Sequence, residues 1–193
     1  MPKNHLIPNL MKIPYILLIM LSVFNIAQAQ STNNSAIEDW RNIVLVSRVE
    51  GTNTTGVHFE YLQNRNQWWG DWLVPWVFRF QSTELRDKTF NKTNYQTASV
   101  AQLTVGVNGY KPLTDSLLLN LDGGVVIGNE KLTSFSSAYS ERVFVGLSLF
   151  QGILFVPRIN VPIVLKAGIY EEVLNSKLYN FDVGVKIGVG LMF

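Results

Sequence analysis

The last thirteen residues constrain the fold more than any other stretch of the chain. Phe181, Val183, Val185, Ile187, Val189, Leu191 and Phe193 are apolar, and Asp182, Gly184, Lys186, Gly188, Gly190 and Met192 stand between them. Successive side chains of a strand point to opposite faces, so one face here is continuously greasy and the other mostly polar or small. A helix would scatter both sets around its circumference. The segment predicts a long β-strand whose two faces meet very different surroundings.

The same rhythm recurs toward the N-terminus. Residues 163–169, 143–149, 117–127, 101–107, 74–80 and 57–61 alternate in the same way, and 43–49 is apolar on both faces. That makes eight candidate strands, and no long stretch has helical periodicity. Residues 110–115, around Pro112, read as a tight turn, and 50–55 as a short one. Residues 85–95, 129–140 and 171–179 read as longer polar loops, all on one side of the sheet.

The chain begins with a stretch of another kind. Lys12 precedes the apolar run 13–24, and Ala27-Gln28-Ala29 follows it. This is the pattern of a secretory signal peptide, with cleavage expected before Gln30 and Met11 as an alternative start. Residues 30–39 read as a flexible polar arm, and 40–193 as the folded domain. Lys3 and Lys12 supply the whole net charge of +2, and the remainder is balanced. A balanced chain offers no basic surface for nucleic acid. The absence of cysteine rules out disulfides, cysteine metal sites and a lipobox acyl anchor.

Which way the greasy face points decides the class. An eight-stranded barrel encloses only enough room for side chains. The non-greasy face carries Gly106, Gly124, Gly146, Gly168, Gly184, Gly188 and Gly190, which suit a cramped interior. Bulky Val, Leu, Ile and Phe suit lipid. In hydrocarbon every backbone group must be paired, so strands can present such a surface only as a closed barrel. Charged residues make up 16% of the chain against about a quarter usually. Trp40, Trp68, Trp69, Trp72 and Tyr110 map to one end of the strands, as an interfacial aromatic girdle would.

The final strand, ending in Phe193, resembles the C-terminal assembly signal of outer-membrane barrels. With the signal peptide and eight strands, residues 40–193 resemble the small barrels typified by OmpX and the OmpA membrane domain. The resemblance implies an all-β, antiparallel up-and-down transmembrane barrel in the bacterial outer membrane. It also implies contact with outer-membrane lipid and with the barrel-assembly machinery through the C-terminal strand. Residues 85–95 and 129–140 would meet any extracellular partner.

Glu60, Arg79, Asp122, Lys166, Asp182 and Lys186 alternate into the expected lumen, together with His58, Gln102 and Asn120. Opposite charges in a narrow interior must pair, because isolated buried charge is very costly. They are expected to form a plug, with a proton or ion path as the alternative. His58, Ser47 and Glu60 are the residues from which a lipid A-modifying triad could be assembled, since His58 is the one histidine beyond the leader. No metal or cofactor motif is present. The expected function is a non-enzymatic outer-membrane barrel with interacting loops. A lipid A enzyme, a narrow channel and a soluble periplasmic lipid-binding barrel are the alternatives.

Overall fold

The structure is a computed structural model that describes residues 42–63, 68–91, 95–135, 138–157 and 162–193. The chain divides into two compact units, Met1–Asn33 and Asn34–Phe193, and only the second contains described residues. The expected signal peptide, the polar arm and Trp40 lie outside the described residues.

Among the described residues, the strands are β1 (Asn42–Gly51), β2 (Thr54–Gln63), β3 (Trp68–Trp69), β4 (Trp72–Leu73), β5 (Trp76–Leu85), β6 (Tyr95–Pro112), β7 (Leu117–Ser134), β8 (Tyr139–Phe155), β9 (Ile163–Leu174) and β10 (Phe181–Met192). One helical turn, α1 (Asp87–Phe90), lies between β5 and β6. β1 pairs with β2 and β10, and β6 pairs with β5 and β7. The eight long strands therefore close on themselves and leave no edge. The β3–β4 hairpin turns at Gly70, whose φ of 57° lies in the region only glycine enters freely. It joins the sheet through the single pair Leu73–Tyr110.

The register fixes the barrel's geometry. Leu191 lies opposite Val44, and the partners then run through Tyr61, Phe78, Val105, Val125, Leu147 and Val173 to Phe181. One circuit thus returns to β10 ten residues from where it began, at position 181 instead of 191. With rises of about 3.3 Å per residue and strands about 4.8 Å apart, that offset tilts the strands by about 40°.

Period-2 alternation places the greasy set outside. Val125, Val145, Ile187 and Leu191 are each more than half exposed, at 61%, 52%, 63% and 55%. The inward face holds both polar groups and large apolar ones. At the proximal end, where β1 begins and β10 ends, Ile43, Leu45, Leu62, Tyr110, Leu118, Leu154 and Val164 form one buried cluster. At the distal end Leu85, Val100, Val126, Phe144, Leu174 and Tyr179 form another. The two-faced apolar character of 43–49 has its cause here, since Ile43, Leu45 and Val49 line the lumen while Val44 and Val46 face out.

The structure corrects three expectations. Residues 129–140 are mostly not a loop: β7 runs to Ser134 and β8 starts at Tyr139. Polar composition did not mean loop, because Lys131 lies opposite Glu141 and Glu130 opposite Arg142, and opposite charges across strands favour pairing. Likewise β9 continues through Leu174, which shortens the expected loop 171–179. Tyr110 is not part of an outer aromatic girdle. β6 stays in register through Pro112, so Tyr110 keeps the parity of Gly106 and Asn108 and is fully buried inside.

β6 and β7 have 18 residues and β8 has 17, against 10 each in β1, β2 and β5. A tilted strand of 9–11 residues suffices to span a bilayer. β6, β7 and β8 therefore project beyond the rest of the barrel. On the outer face of β7 the greasy series ends at Ile127 and is followed by Asn129, Lys131 and Thr133.

Candidate functional site

The lumen's middle is an ionic belt. Glu60 and Arg79 are direct cross-strand partners on β2 and β5, and Arg79 Nε donates to Glu60 at 3.1 Å. Arg79 also donates to Asp122 on β7 at 2.7 Å and to Ser148 on β8 at 3.1 Å. Lys186 on β10 reaches Glu60 at 2.8 Å. Lys166 on β9 bonds both Glu60 and, at 3.3 Å, Asp122. These side chains come from six of the eight barrel strands, and each is at most 1% exposed.

Three cations meet two carboxylates in this belt. The excess positive charge falls on an aromatic face: the Phe150 ring centroid lies 4.4 Å from Lys166 Nζ and 4.3 Å from Lys186 Nζ. A ring's negative face attracts cations, most strongly when water is excluded. Glycines make room for that ring, since a Cβ at Gly152 or Gly168 would run into Phe150 at about 2.7 and 2.6 Å. Phe150 alternates with outward-facing Leu149 and was not recognised as part of the network from sequence. Its cue was parity, as it shares a face with Ser148.

Asp182 is buried in the lumen but stands apart from the belt. It accepts from Thr52 Oγ1 and the Asn53 N–H, each at 2.8 Å, and from Thr54 Oγ1 at 2.5 Å. Tyr170 donates to it at 3.1 Å. These bonds brace the β1–β2 turn. The turn fits tightly, because a Cβ at Gly51 would strike Tyr170 Oη and the Asp182 carboxylate.

Two further acids were missed because they fell in segments read as loops. Glu172 accepts from Gln102, which also bonds Gln81. Glu130 accepts from Ser176 Oγ at 2.6 Å and from the Lys177 N–H, pinning the β9–β10 connection over the distal opening. At the projecting tip, Glu141 accepts from Asn129 and Tyr139. These two donors hold its carboxyl below the usual range.

The residues weighed as a catalytic triad are brought together only in part. Ser47 and His58 lie directly opposite one another on β1 and β2, but neither makes a side-chain hydrogen bond to any group of the protein. Glu60 is taken up by Arg79, Lys166 and Lys186. Among the described residues, no group of His, Asp and Glu is arranged to hold a metal ion. Phe193 closes the seam by backbone, its N–H donating to Asn42 O at 3.0 Å and its carbonyl accepting from Asn42 N at 2.8 Å.

A closed eight-stranded barrel, greasy outside and plugged by charge and apolar caps inside, is a barrel of the outer-membrane kind. Solved structures agree. Neisserial surface protein A superposes with a TM-score of 0.58 at 8% identity, covering 79% of this chain and 96% of that one. The N-terminal β-barrel domain of Pseudomonas aeruginosa OprF gives 0.50 at 13% identity, covering 80% and 100%. Yersinia pestis Ail, the attachment invasion locus protein, in complex with the heparin analogue sucrose octasulfate, gives 0.50 at 21%, covering 79% and 95%. The chain thus has the fold of the small eight-stranded outer-membrane barrels. No protein-family model matches the chain, and no curated protein does.

Proposed function

We propose that this chain is a non-enzymatic integral protein of the bacterial outer membrane, with the barrel as anchor and the distal rim as working surface. The filled lumen carries this reading. Arg79, Tyr110, Tyr170, Phe144, Phe150, Lys166 and Lys186 are among its largest fully buried side chains, and they occupy the space a channel would need. The outward belt fits outer-membrane lipid. The proximal end, with the 113–116 turn, faces the periplasm, and the projecting β6–β8 end faces outside. There residues 85–95 and the tip 129–140 are the surfaces a partner would meet, and Phe135 and Tyr139 stand exposed at that tip. Phe193, outward-facing beside the seam, is the residue we assign to recognition by the assembly machinery.

Two measurements test this. Purified protein in planar bilayers is expected to give no large, stable conductance; a porin-like conductance refutes the plugged lumen. An epitope tag inserted between Phe135 and Ala138 is expected to be labelled on intact cells, and one in the 113–116 turn only after permeabilisation. The reverse pattern refutes the orientation, and with it the distal rim as the working surface.

A further inference from the structure

The outward belt is not evenly greasy. Its outward positions carry no charge along 57–61 of β2, 76–80 of β5, 103–107 of β6, 121–127 of β7, 143–155 of β8 apart from Glu-free positions above Val143, and 183–191 of β10. Charge enters the belt on β1 and β9, the two strands that flank β10. Arg48 lies outward between Ile187 and Val57. Glu171 lies outward between Val183 and Leu149. Ionisable residues placed against lipid are costly and rare, and they call for a partner.

Their own chain leaves both incomplete. Arg48 Nε donates to Glu50 Oε1 at 2.9 Å and Nη2 donates to Thr55 Oγ1 at 2.7 Å. Arg86 bonds the same Glu50, so two guanidinium groups share one carboxylate. Arg48 Nη1, on a side chain 59% exposed, has no partner among the described residues. Glu171 has no hydrogen-bonding or ionic partner among them. One side of β10 thus carries an excess positive charge and the other an excess negative one.

The two groups are placed symmetrically about Val185. Val185 pairs with Glu50 on β1 and Ile169 on β9. Arg48 lies two residues proximal to Glu50, and Glu171 two residues distal to Ile169. The strand tilt offsets part of that separation, leaving the two Cα atoms about 4 Å apart in height. The Arg48 side chain reaches distally, toward Glu50 and Thr55, and closes the gap. A two-fold axis along the membrane normal keeps heights and exchanges the two sides of β10. It sets each copy's Glu171 against the other copy's Arg48, the reciprocal contact of an isologous interface.

We propose that β9, β10 and β1 form an interface with a second copy of this chain, side by side in the membrane, with Val185 near the axis and an Arg48–Glu171 pair on each side. The inference rests on the outward belt meeting lipid. A lipid phosphate answers Arg48 and leaves Glu171 alone, whereas a second copy answers both.

The test uses the full chain in its own outer membrane. The chain has no cysteine, so Val185→Cys gives a single thiol near the axis and Val105→Cys one on another face. Copper phenanthroline is expected to link Val185→Cys chains as disulfide dimers and to leave Val105→Cys chains monomeric. In the Val185→Cys background, Glu171→Arg alone and Arg48→Glu alone are each expected to reduce linking to the Val105→Cys level. Co-expressed with tags of different size, the two variants should link only to each other, because both cross-pairs are then complementary. Heat-modifiable gel mobility reports that each variant is folded. A folded Val185→Cys barrel in the outer membrane that links no more than Val105→Cys overturns the interface alone. Linking unchanged by Glu171→Arg overturns the pairing and assigns Arg48 to lipid. A chain found outside the outer-membrane fraction overturns the interface together with the membrane reading.

Discussion

Glu60→Gln is expected to lower the unfolding free energy of the barrel by about 3–5 kcal/mol, the usual cost of removing one partner from a buried ionic contact. Glutamine keeps the shape and most of the volume, so packing is not the cause. The charge balance is. Glu60 bonds Arg79, Lys166 and Lys186, and without it three buried cations face Asp122 alone. Phe150 offsets part of one charge and not two. Pairing Glu60→Gln with Lys186→Met should recover part of the loss, because the second change removes a stranded cation. Ser148→Ala, which deletes one neutral partner of Arg79, should cost about 1–3 kcal/mol. The measurement is reversible urea unfolding in micelles or vesicles, followed by tryptophan fluorescence. A Glu60→Gln barrel as stable as the wild type would mean that the belt is hydrated and open to bulk water, and the plugged-lumen reading would fall with it.

The outer face was legible because a single rule governed it. Lipid asks only for apolar side chains, so the series through Val185, Ile187, Val189 and Leu191 stood out in the sequence. The inner face obeys several rules at once, and the sequence there is mixed for that reason. Charged residues at mid-height were readable, since Glu60, Arg79, Asp122, Lys166 and Lys186 interrupt apolar runs at the right parity. The caps were not. Leu118, Val126 and Leu154 are inward apolar residues next to outward apolar residues, and alternation cannot sort two sets of one kind. The ends of the strands were also misread, for another reason. Beyond Ile127 the outer face of β7 turns polar while its buried inner face holds both Glu130 and Leu132, so hydropathy stops alternating although pairing continues. Glu130 and Glu172 were lost in that zone. Parity counted outward from Gly128 and Tyr170 would have placed both inside.

Val105→Arg is expected to destabilise the barrel in lipid by about 2–4 kcal/mol, the cost of an arginine near the midplane of a barrel's lipid face. Val105 points outward, 38% exposed, and both its cross-strand neighbours, Phe78 and Val125, are apolar, so the guanidinium finds no counter-ion and must bend toward an interface or thin the bilayer. Val185→Arg should cost less, because outward Val185 lies between Ile169 and the carboxylate of Glu50. The cost should fall with height along one strand. On β7, Val125→Arg should behave like Val105→Arg, whereas Thr133→Arg, beyond the greasy series on the same face, should change stability by no more than about 0–1 kcal/mol. This gradient separates lipid from ordinary packing. A soluble barrel exposes the same valines to water, and there arginine at 125 and at 133 would be tolerated alike. The comparison must be made in bilayers of defined thickness. If Val105→Arg and Val125→Arg both unfold at the wild-type midpoint in bilayers, this face does not meet lipid, and the membrane assignment is wrong.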